Sequence, residues 1–356
     1  MKEFLSLTSG LRRRAILAGG LAAPLARALP QRGLVFPQDH GAHPDLRTEW
    51  WYVTGHAQDG DRLFGFQVTF FRTRVDATQG MQSKFAARQL LFAHAAVTDV
   101  KAGKLVHDQR IARQGFGIAQ AQEGDAALRI RDWSLVRQGE AWNAVIPAAG
   151  FRLDLRCAAV QPVLLQGRQG LSRKGPQEKQ ASYYYSQPQL AVTGLLSLQG
   201  REFRVTGKAW MDHEWSEELL HPDAVGWDWI GMNLDDGAAL TAFRLRRRDG
   251  STVWDGGSYR SARGDLYIAT PGETEFRAGR TWTSALSNAT YPVEWRLRTP
   301  ADFYTVRALV DNQELDSRAS TGAIYWEGLS DLVDSNGRRV GRGYLEMTGY
   351  AGRLRM

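Results

Sequence analysis

Residues 207–235 have the sequence GKAWMDHEWSEELLHPDAVGWDWIGMNLD. This stretch holds four of the twelve tryptophans, two of the seven histidines and seven acidic residues of the chain. Large aromatic side chains therefore lie beside groups that can gain or lose a proton. We interpret the stretch as the connection between two β-barrel-like units, where it lines an apolar ligand site that has a few polar groups.

The sequence on both sides of this stretch alternates between apolar and polar residues over short segments. Hairpin signals such as Asp59-Gly60 and Asp249-Gly250 separate some of these segments. Only residues 84–91 and 216–220 are predicted as short helices, and the Gly-rich residues 167–179 are typical of a mobile loop. Many short strands at regular spacing predict an all-β protein.

A chain of 356 residues is longer than a domain with one hydrophobic core usually is, which predicts two domains. The expected order is a lead-in segment over residues 29–46, an N-terminal barrel over residues 47–218 and a C-terminal barrel over residues 219–356. An apolar content of 43% and a charged content of 23% are globular values, which argues against global disorder.

The first 28 residues have the order of an export signal. Three arginines at positions 12–14 precede an apolar run over residues 15–25, and Ala28 ends a small-x-small cleavage motif. We expect a bacterial twin-arginine signal cleaved after Ala28, the twin-arginine export machinery as a partner, and a periplasmic or secreted location. The alternative is an amphipathic N-terminal helix that stays on the protein.

The charge of the remaining chain argues against nucleic-acid binding. Removing the signal takes away five basic and one acidic side chain, which lowers the formal net charge of +7 by four, to +3. A weakly basic composition does not predict a surface that binds phosphate groups. The single cysteine, Cys157, shares the phase of apolar neighbours and is expected to be a small buried side chain.

Several catalytic signatures are absent from the sequence. It has no G-x-S-x-G elbow, no histidine at the zincin spacing after His213-Glu214, and no Gly-rich phosphate loop. His40 and His43 with Asp45 could hold a metal ion, but a polar lead-in segment is a weak metal signal. No metal and no other cofactor is therefore expected.

The predicted strand around residue 213 has two faces. His213 and Trp215 share the phase of the apolar residues before them. An inward histidine at a barrel mouth can exchange a proton near neutral pH, or it can be a core histidine bonded to a carbonyl, and periodicity does not separate the two. Asp212 and Glu214 have the opposite phase, where pairing with Lys208 or an arginine is expected.

Two tryptophans flank a carboxylate in Trp227-Asp228-Trp229, so the indoles share one strand face and the carboxylate takes the other. Indole faces stabilise nearby positive charge, which makes these two residues candidate walls for a pocket in which a carbocation forms. The alternative is that both indoles belong to an ordinary core.

Another aromatic and acidic cluster, Glu49-Trp50-Trp51-Tyr52, begins the first predicted strand. Glu49 is expected to point inward, where a carboxyl must be paired, hydrogen-bonded or protonated. His94 lies in phase with apolar neighbours and is a second candidate for an inward histidine.

Five motifs occur in order along the chain: EWWY at 49–52, MDHEW at 211–215, GWDW at 226–229, YWEG at 325–328 and GRGYLEMTGY at 341–350. In these motifs the chain resembles the AttH/CrtC-like family, which includes bacterial carotenoid hydratases, a fungal kievitone hydratase and exported proteins described as predicted secreted hydrolases. The resemblance runs from about residue 40 to residue 350. It implies two lipocalin-like (calycin-type) β-barrels packed side by side, with the site near their junction.

The resemblance also implies a reaction and its residues. In the family's hydratases a proton adds to an isolated C=C bond, water captures the tertiary cation, and a His-x-Trp pair is involved, which His213 and Trp215 match. A Tyr and an Asp expected on the next strand are absent from residues 240–245, which argues against carotenoid hydration itself. Asp228 is a third candidate catalytic residue. The candidate ligand-binding residues are Glu49, Trp50, Trp51, Tyr52, His94, Trp227, Trp229, Phe243, Tyr325, Trp326 and Glu327.

Two functions from different classes fit these observations. One is a hydratase, isomerase or hydrolase that acts on an apolar lipid or isoprenoid by His-assisted proton transfer. The other is a non-enzymatic periplasmic carrier of such a ligand, with a membrane-transport system as its partner. In a third case the aromatic motifs only hold the two barrels together and the ligand site lies elsewhere.

Overall fold

The computed structural model describes residues 28–218 and 220–353, so the predicted export signal lies outside the described residues except for Ala28. Apart from 3₁₀ turns at Gln38–His40 and Asp76–Thr78, every regular element in these ranges is a strand. The first thirteen strands are β1 (Thr48–Asp59), β2 (Arg62–Arg74), β3 (Gln89–Asp99), β4 (Lys104–Arg113), β5 (Ala119–Ala121), β6 (Ala127–Ile130), β7 (Trp133–Gln138), β8 (Ala141–Ala148), β9 (Phe151–Ala158), β10 (Leu164–Leu165), β11 (Leu171–Arg173), β12 (Ala181–Leu198) and β13 (Arg201–Glu218). The other twelve are β14 (Gly226–Leu234), β15 (Ala239–Arg246), β16 (Thr252–Arg260), β17 (Leu266–Ala269), β18 (Glu275–Ala278), β19 (Thr281–Thr283), β20 (Thr290–Pro292), β21 (Glu294–Arg298), β22 (Phe303–Ala308), β23 (Glu314–Ser317), β24 (Ala323–Val333) and β25 (Arg339–Met347).

The first sheet has the strand order β4-β3-β2-β1-β13-β12-β9-β8-β7-β6-β5, with β10 and β11 paired to β12. Its two ends approach each other where β3 and β4 contact β5 and β6. The sheet therefore curls into a nearly closed barrel around an apolar core that includes Trp133, Trp142 and Phe64.

The second sheet has the order β17-β16-β15-β14-β25-β24-β22-β21-β18, with β23 paired to β24, and β19 and β20 form a separate pair. Its core contains Trp295, Trp326 and Tyr291. A third apolar cluster, which includes Tyr52, Trp210 and Trp229, joins the two sheets where β1 and β13 face β14 and β25. The prediction of an all-β fold with two barrel-like sheets is confirmed.

Three local predictions were wrong. No α-helix occurs at residues 84–91, and residues 216–218 continue β13, whose pairing with β1 reaches Ser216. The expected loop at residues 167–179 contains β11, which pairs with β12, and the residue after β11, Lys174, is buried. In the described part of the chain, no helix has the length and apolar character needed to cross a membrane.

Candidate functional site

Strand β13 separates two different polar environments, because both of its faces are buried. Asp212 and Glu214 face the junction between the sheets, whereas His213 and Trp215 face the interior of the first barrel. Alternate residues of a strand point to opposite sides, so neighbouring residues of one motif serve two separate places.

A narrow cleft lies at the junction and has an empty volume of about 740 Å³, its open mouth included. Its walls are mainly aromatic, with carboxyl groups set among them. The lining residues are Trp50, Tyr52, Gln67, Thr69, Phe71, Lys174, Tyr184, Asp212, Glu214, Trp227, Trp229, Phe243, Leu245, Tyr325, Glu327 and Glu346.

The second sheet contributes one row of side chains across four strands. Glu327 on β24 lies opposite Glu346 on β25, and Glu346 lies opposite Trp229 on β14, which is opposite Phe243 on β15. Directly opposed side chains in antiparallel strands have Cβ atoms about 5 Å apart, so the two carboxyls are neighbours. A side chain at Gly231 would strike the Trp229 ring, so this glycine leaves the space that the indole occupies.

Glu327 has the most unusual environment in the cleft. Its side chain is 2% exposed, and among the described residues neither carboxylate oxygen has a hydrogen-bond partner. Burial and the neighbouring Glu346 carboxyl raise the pKa of Glu327 well above its usual value, and the Tyr52 hydroxyl opposes this shift. Burial favours the protonated form of such a carboxyl, because the charged form has lost its solvation.

The environment of Glu346 also raises the pKa of its carboxyl group. Burial, together with the charges of Asp212 and Glu214, raises the pKa of Glu346. Two adjacent carboxyls in a dry site titrate as a pair, since the ionisation of one disfavours that of the other. Simultaneous ionisation of Glu327 and Glu346 is therefore disfavoured.

The first sheet places two further acids across the cleft. Asp212 accepts hydrogen bonds from Tyr184 Oη (2.7 Å), Ser186 Oγ (2.5 Å) and Trp210 Nε1 (2.7 Å). Burial nevertheless raises the pKa of Asp212 to about 7. Glu214 forms an ion pair with Lys174 Nζ (3.0 Å), whereas the sequence predicts Lys208 or an arginine as the partner.

The aromatic side chains are held in fixed orientations. Trp229 Nε1 donates to Tyr184 Oη (3.2 Å), and the Tyr52 ring meets the Trp229 ring edge to face at 5.4 Å. Lys174 Nζ lies 4.2 Å from the centroid of Phe243. Aromatic faces next to a protonated carboxyl form a site that can donate a proton and tolerate a developing cation.

The interior face of β13 carries a second cluster, which the lead-in segment covers. The Glu49 carboxylate contacts Arg72 Nε (2.7 Å), His43 Nδ1 (2.7 Å) and His213 Nε2 (2.9 Å), and Asp39 contacts His43 Nε2 (2.9 Å). Burial lowers the pKa of His213 to about 4. Burial opposes ionisation of Glu49, but the hydrogen bonds from the two histidines keep its pKa below the usual value.

The structure divides the predicted site residues between these environments. The residues that line the cleft are Trp50, Tyr52, Trp227, Trp229, Phe243, Tyr325 and Glu327. The residues that do not line it are Glu49, Trp51, His94, Asp228, His213, Trp215 and Trp326. The expectation that His213 and Trp215 share one pocket with Trp227 and Trp229 is corrected. His213 and Trp215 on β13 face the interior of the first barrel, whereas Trp227 and Trp229 on β14 line the junction cleft.

Three of the residues outside the cleft have clear structural roles. His94 points out of the first barrel toward the second sheet, where Nδ1 lies 2.9 Å from Tyr325 Oη and Nε2 lies 2.8 Å from Ser320 Oγ. Trp326 belongs to the core of the second sheet. Asp228 accepts from Arg244 Nε (2.7 Å) and Tyr350 Oη (2.9 Å) on the face away from the cleft.

Sequence reasoning missed four of the polar residues in the cleft: Lys174, Asp212, Glu214 and Glu346. For Glu346 a signal existed, since it lies inside a motif and shares the phase of the aromatic Tyr344. The sequence predicts only a pairing role with Lys208 or an arginine for the two acids of β13, and it places Lys174 in a loop.

These features define a class of protein: an all-β protein of two barrels that enclose an aromatic, carboxyl-bearing cleft at their junction. The chain belongs to the AttH-like family, whose model matches residues 27–350. It is similar to NE1406 of Nitrosomonas europaea, described as an AttH, with 47% identity, a TM-score of 0.85, and coverage of 92% of this chain and 100% of that chain. The expected family is thereby confirmed, while a search of curated proteins finds no sequence match.

Two more distant structures share the fold. Kievitone hydratase from Nectria haematococca is 13% identical, with a TM-score of 0.71 and coverage of 90% of this chain and 93% of that chain. CghA, in its structure with Sch210972, is 15% identical, with a TM-score of 0.53 and coverage of 85% and 88%. At these identities the likeness shows the fold alone.

Proposed function

We propose that this protein binds an apolar, unsaturated small molecule, a lipid or isoprenoid, in the junction cleft and hydrates or isomerises it by proton transfer. The observation that carries the proposal is Glu327, a buried carboxyl without a hydrogen-bond partner among the described residues, set in an aromatic wall. A kievitone hydratase among the structures of similar fold supports the same reaction class.

The reaction follows from these groups. The Glu327 proton forms a C–H bond with one alkene carbon, using the π electron pair, and a cation remains on the other carbon. The faces of Trp229 and Phe243 stabilise that cation, and the dry cleft strengthens the interaction. Water then forms the C–O bond and returns its surplus proton to the Glu327–Glu346 pair, whereas loss of a proton from the cation gives an isomer.

We also propose that the protein acts outside the cytoplasmic membrane of a bacterium, after twin-arginine export. The order of charged, apolar and small residues in positions 1–28 supports this location. In the alternative function the same cleft carries the ligand for a membrane-transport system without changing it, and the turnover experiment in the Discussion separates the two.

Trp229→Ala is expected to weaken binding of the apolar fluorophore N-phenyl-1-naphthylamine by about tenfold or more, because a wall of the cleft is lost. Fluorescence titration measures the affinity. Trp282→Ala is a matched control, since Trp282 is a half-buried indole in the second half of the chain that does not line the cleft. Equal affinities of the two variants would show that the probe binds elsewhere.

A further inference from the structure

The cluster on the interior face of β13 takes no part in the proposed chemistry, yet its geometry is unusual. His43, Glu49 and His213 each present one ligand atom, and these atoms lie within 4.8 Å of one another. His43 Nδ1 is 2.7 Å and His213 Nε2 is 2.9 Å from the same oxygen, Glu49 Oε1. Two imidazole nitrogens therefore converge on one carboxylate oxygen.

The outer nitrogen of each imidazole ring faces an oxygen of Asp39. His43 Nε2 lies 2.9 Å from Asp39 Oδ1, and His213 Nδ1 lies 3.0 Å from the Asp39 backbone carbonyl. A carbonyl and an ionised carboxylate can only accept, so each outer nitrogen is the donor. The inner nitrogens, His43 Nδ1 and His213 Nε2, face Glu49 Oε1, so each one either carries a proton and donates to this oxygen or offers its lone pair to a bound cation.

Three electron-rich atoms that face one point require positive charge between them. We infer that this point binds a divalent first-row transition-metal ion through His43 Nδ1, His213 Nε2 and Glu49 Oε1. Metal-binding histidines usually donate their other N–H to a carboxylate or carbonyl, which is the role of Asp39 here. An ion that replaces two protons leaves the net charge of the cluster unchanged.

The other Glu49 oxygen is already occupied, which leaves Oε1 for the ion. Glu49 Oε2 accepts from Arg72 Nε (2.7 Å) and from the His43 amide (2.9 Å). Donor atoms on one tetrahedral Zn²⁺ lie about 3.3 Å apart, given bonds of about 2.0–2.1 Å, so the ring nitrogens must move outward by about 0.5 Å. His43 belongs to the lead-in segment outside the sheets, whereas His213 lies on β13.

Access to the metal site is on the side of His43. The side chains of Glu49 and His213 are fully buried, whereas that of His43 is 17% exposed. An ion therefore reaches the cluster past His43. The sequence predicts no metal ion, and the partners that it offers to His43 are His40 and Asp45. The structure instead places Glu49 and His213 beside His43.

The test titrates the full chain, after dialysis against EDTA, with Zn²⁺ by calorimetry and with Co²⁺ by visible absorption. We expect one ion per chain, Co²⁺ absorption bands of low-symmetry coordination, and a Zn²⁺-dependent rise in melting temperature. His43→Gln and His213→Gln should abolish all three responses, while His107→Gln, on β4 outside the cluster, should retain them. His43 is partly exposed, so His43→Gln provides a folded variant even where His213→Gln does not.

Two results would overturn the inference. Wild type without stoichiometric Zn²⁺ or Co²⁺ binding would show that protons alone supply the positive charge. Stoichiometric binding that persists in a folded His43→Gln variant would place the ion elsewhere.

Discussion

Glu327→Gln is expected to lower the rate of proton addition to a bound alkene by at least about 100-fold, because glutamine keeps the shape of the side chain but has no acidic proton. Binding of N-phenyl-1-naphthylamine should be little changed, since the aromatic walls remain. Wild type and variant are incubated with a panel of unsaturated isoprenoids and fatty acids in H₂¹⁸O. Mass spectrometry then follows incorporation of ¹⁸O into the product.

Glu294→Gln is the control for this experiment, because Glu294 pairs with the exposed Arg307 at a distance from the cleft. It should react at the wild-type rate. Undiminished turnover in Glu327→Gln, with loss of turnover in His213→Gln, would move the chemistry to the interior of the first barrel. Tight binding of a panel member by wild type, with no product, would favour the carrier function.

Arg72→Ala is expected to lower the free energy of unfolding by about 3–5 kcal/mol, the usual cost of leaving a buried charge without its partner. Arg72 and Glu49 are both fully buried. The guanidinium also donates to Gln89 Oε1 (2.7 Å) and to the backbone carbonyls of His43 and Leu46 (2.8 Å each), which attaches the lead-in segment to the barrel. Urea denaturation followed by tryptophan fluorescence measures the change.

Arg74→Ala tests whether the effect depends on burial. Arg74 lies on the same strand and face as Arg72, but its partners Asp76 and Glu217 are partly exposed. Exposed pairs contribute about 0–1 kcal/mol, so this variant should unfold near the wild-type midpoint. Equal destabilisation by both substitutions would show that the buried Glu49 charge is not the cause.

The fold could be predicted because its signals are local. Alternation over residues 64–70 and 203–215 specifies strands directly, and glycine-containing turns mark the hairpins. The family resemblance carried by the five motifs implied the two-barrel architecture. The predicted helix at residues 216–220 was wrong because pairing with β1 as far as Ser216 and with β12 as far as Glu218 extends β13 beyond the point where its apolar alternation ends.

The site was only half predictable, for a physical reason. Periodicity correctly separated His213 from Asp212 and Glu214, but it cannot tell a face in a barrel core from a face at a junction between barrels. An acidic residue in a strand usually faces solvent, whereas at this junction the second sheet covers it. The partners of Glu49 also depend on a lead-in segment whose path across the barrel has no sequence pattern.

The proposed chemistry depends on a proton held by Glu327 at neutral pH. Infrared difference spectra between wild type and Glu327→Gln, recorded at about pH 7, report this proton directly through the C=O stretch of the carboxylic acid. We predict a protonated-carboxyl band that is present in wild type and missing from the variant, and that shifts when the sample is transferred to D₂O. A difference spectrum that contains only the bands of an ionised carboxylate would contradict the proposed role of Glu327.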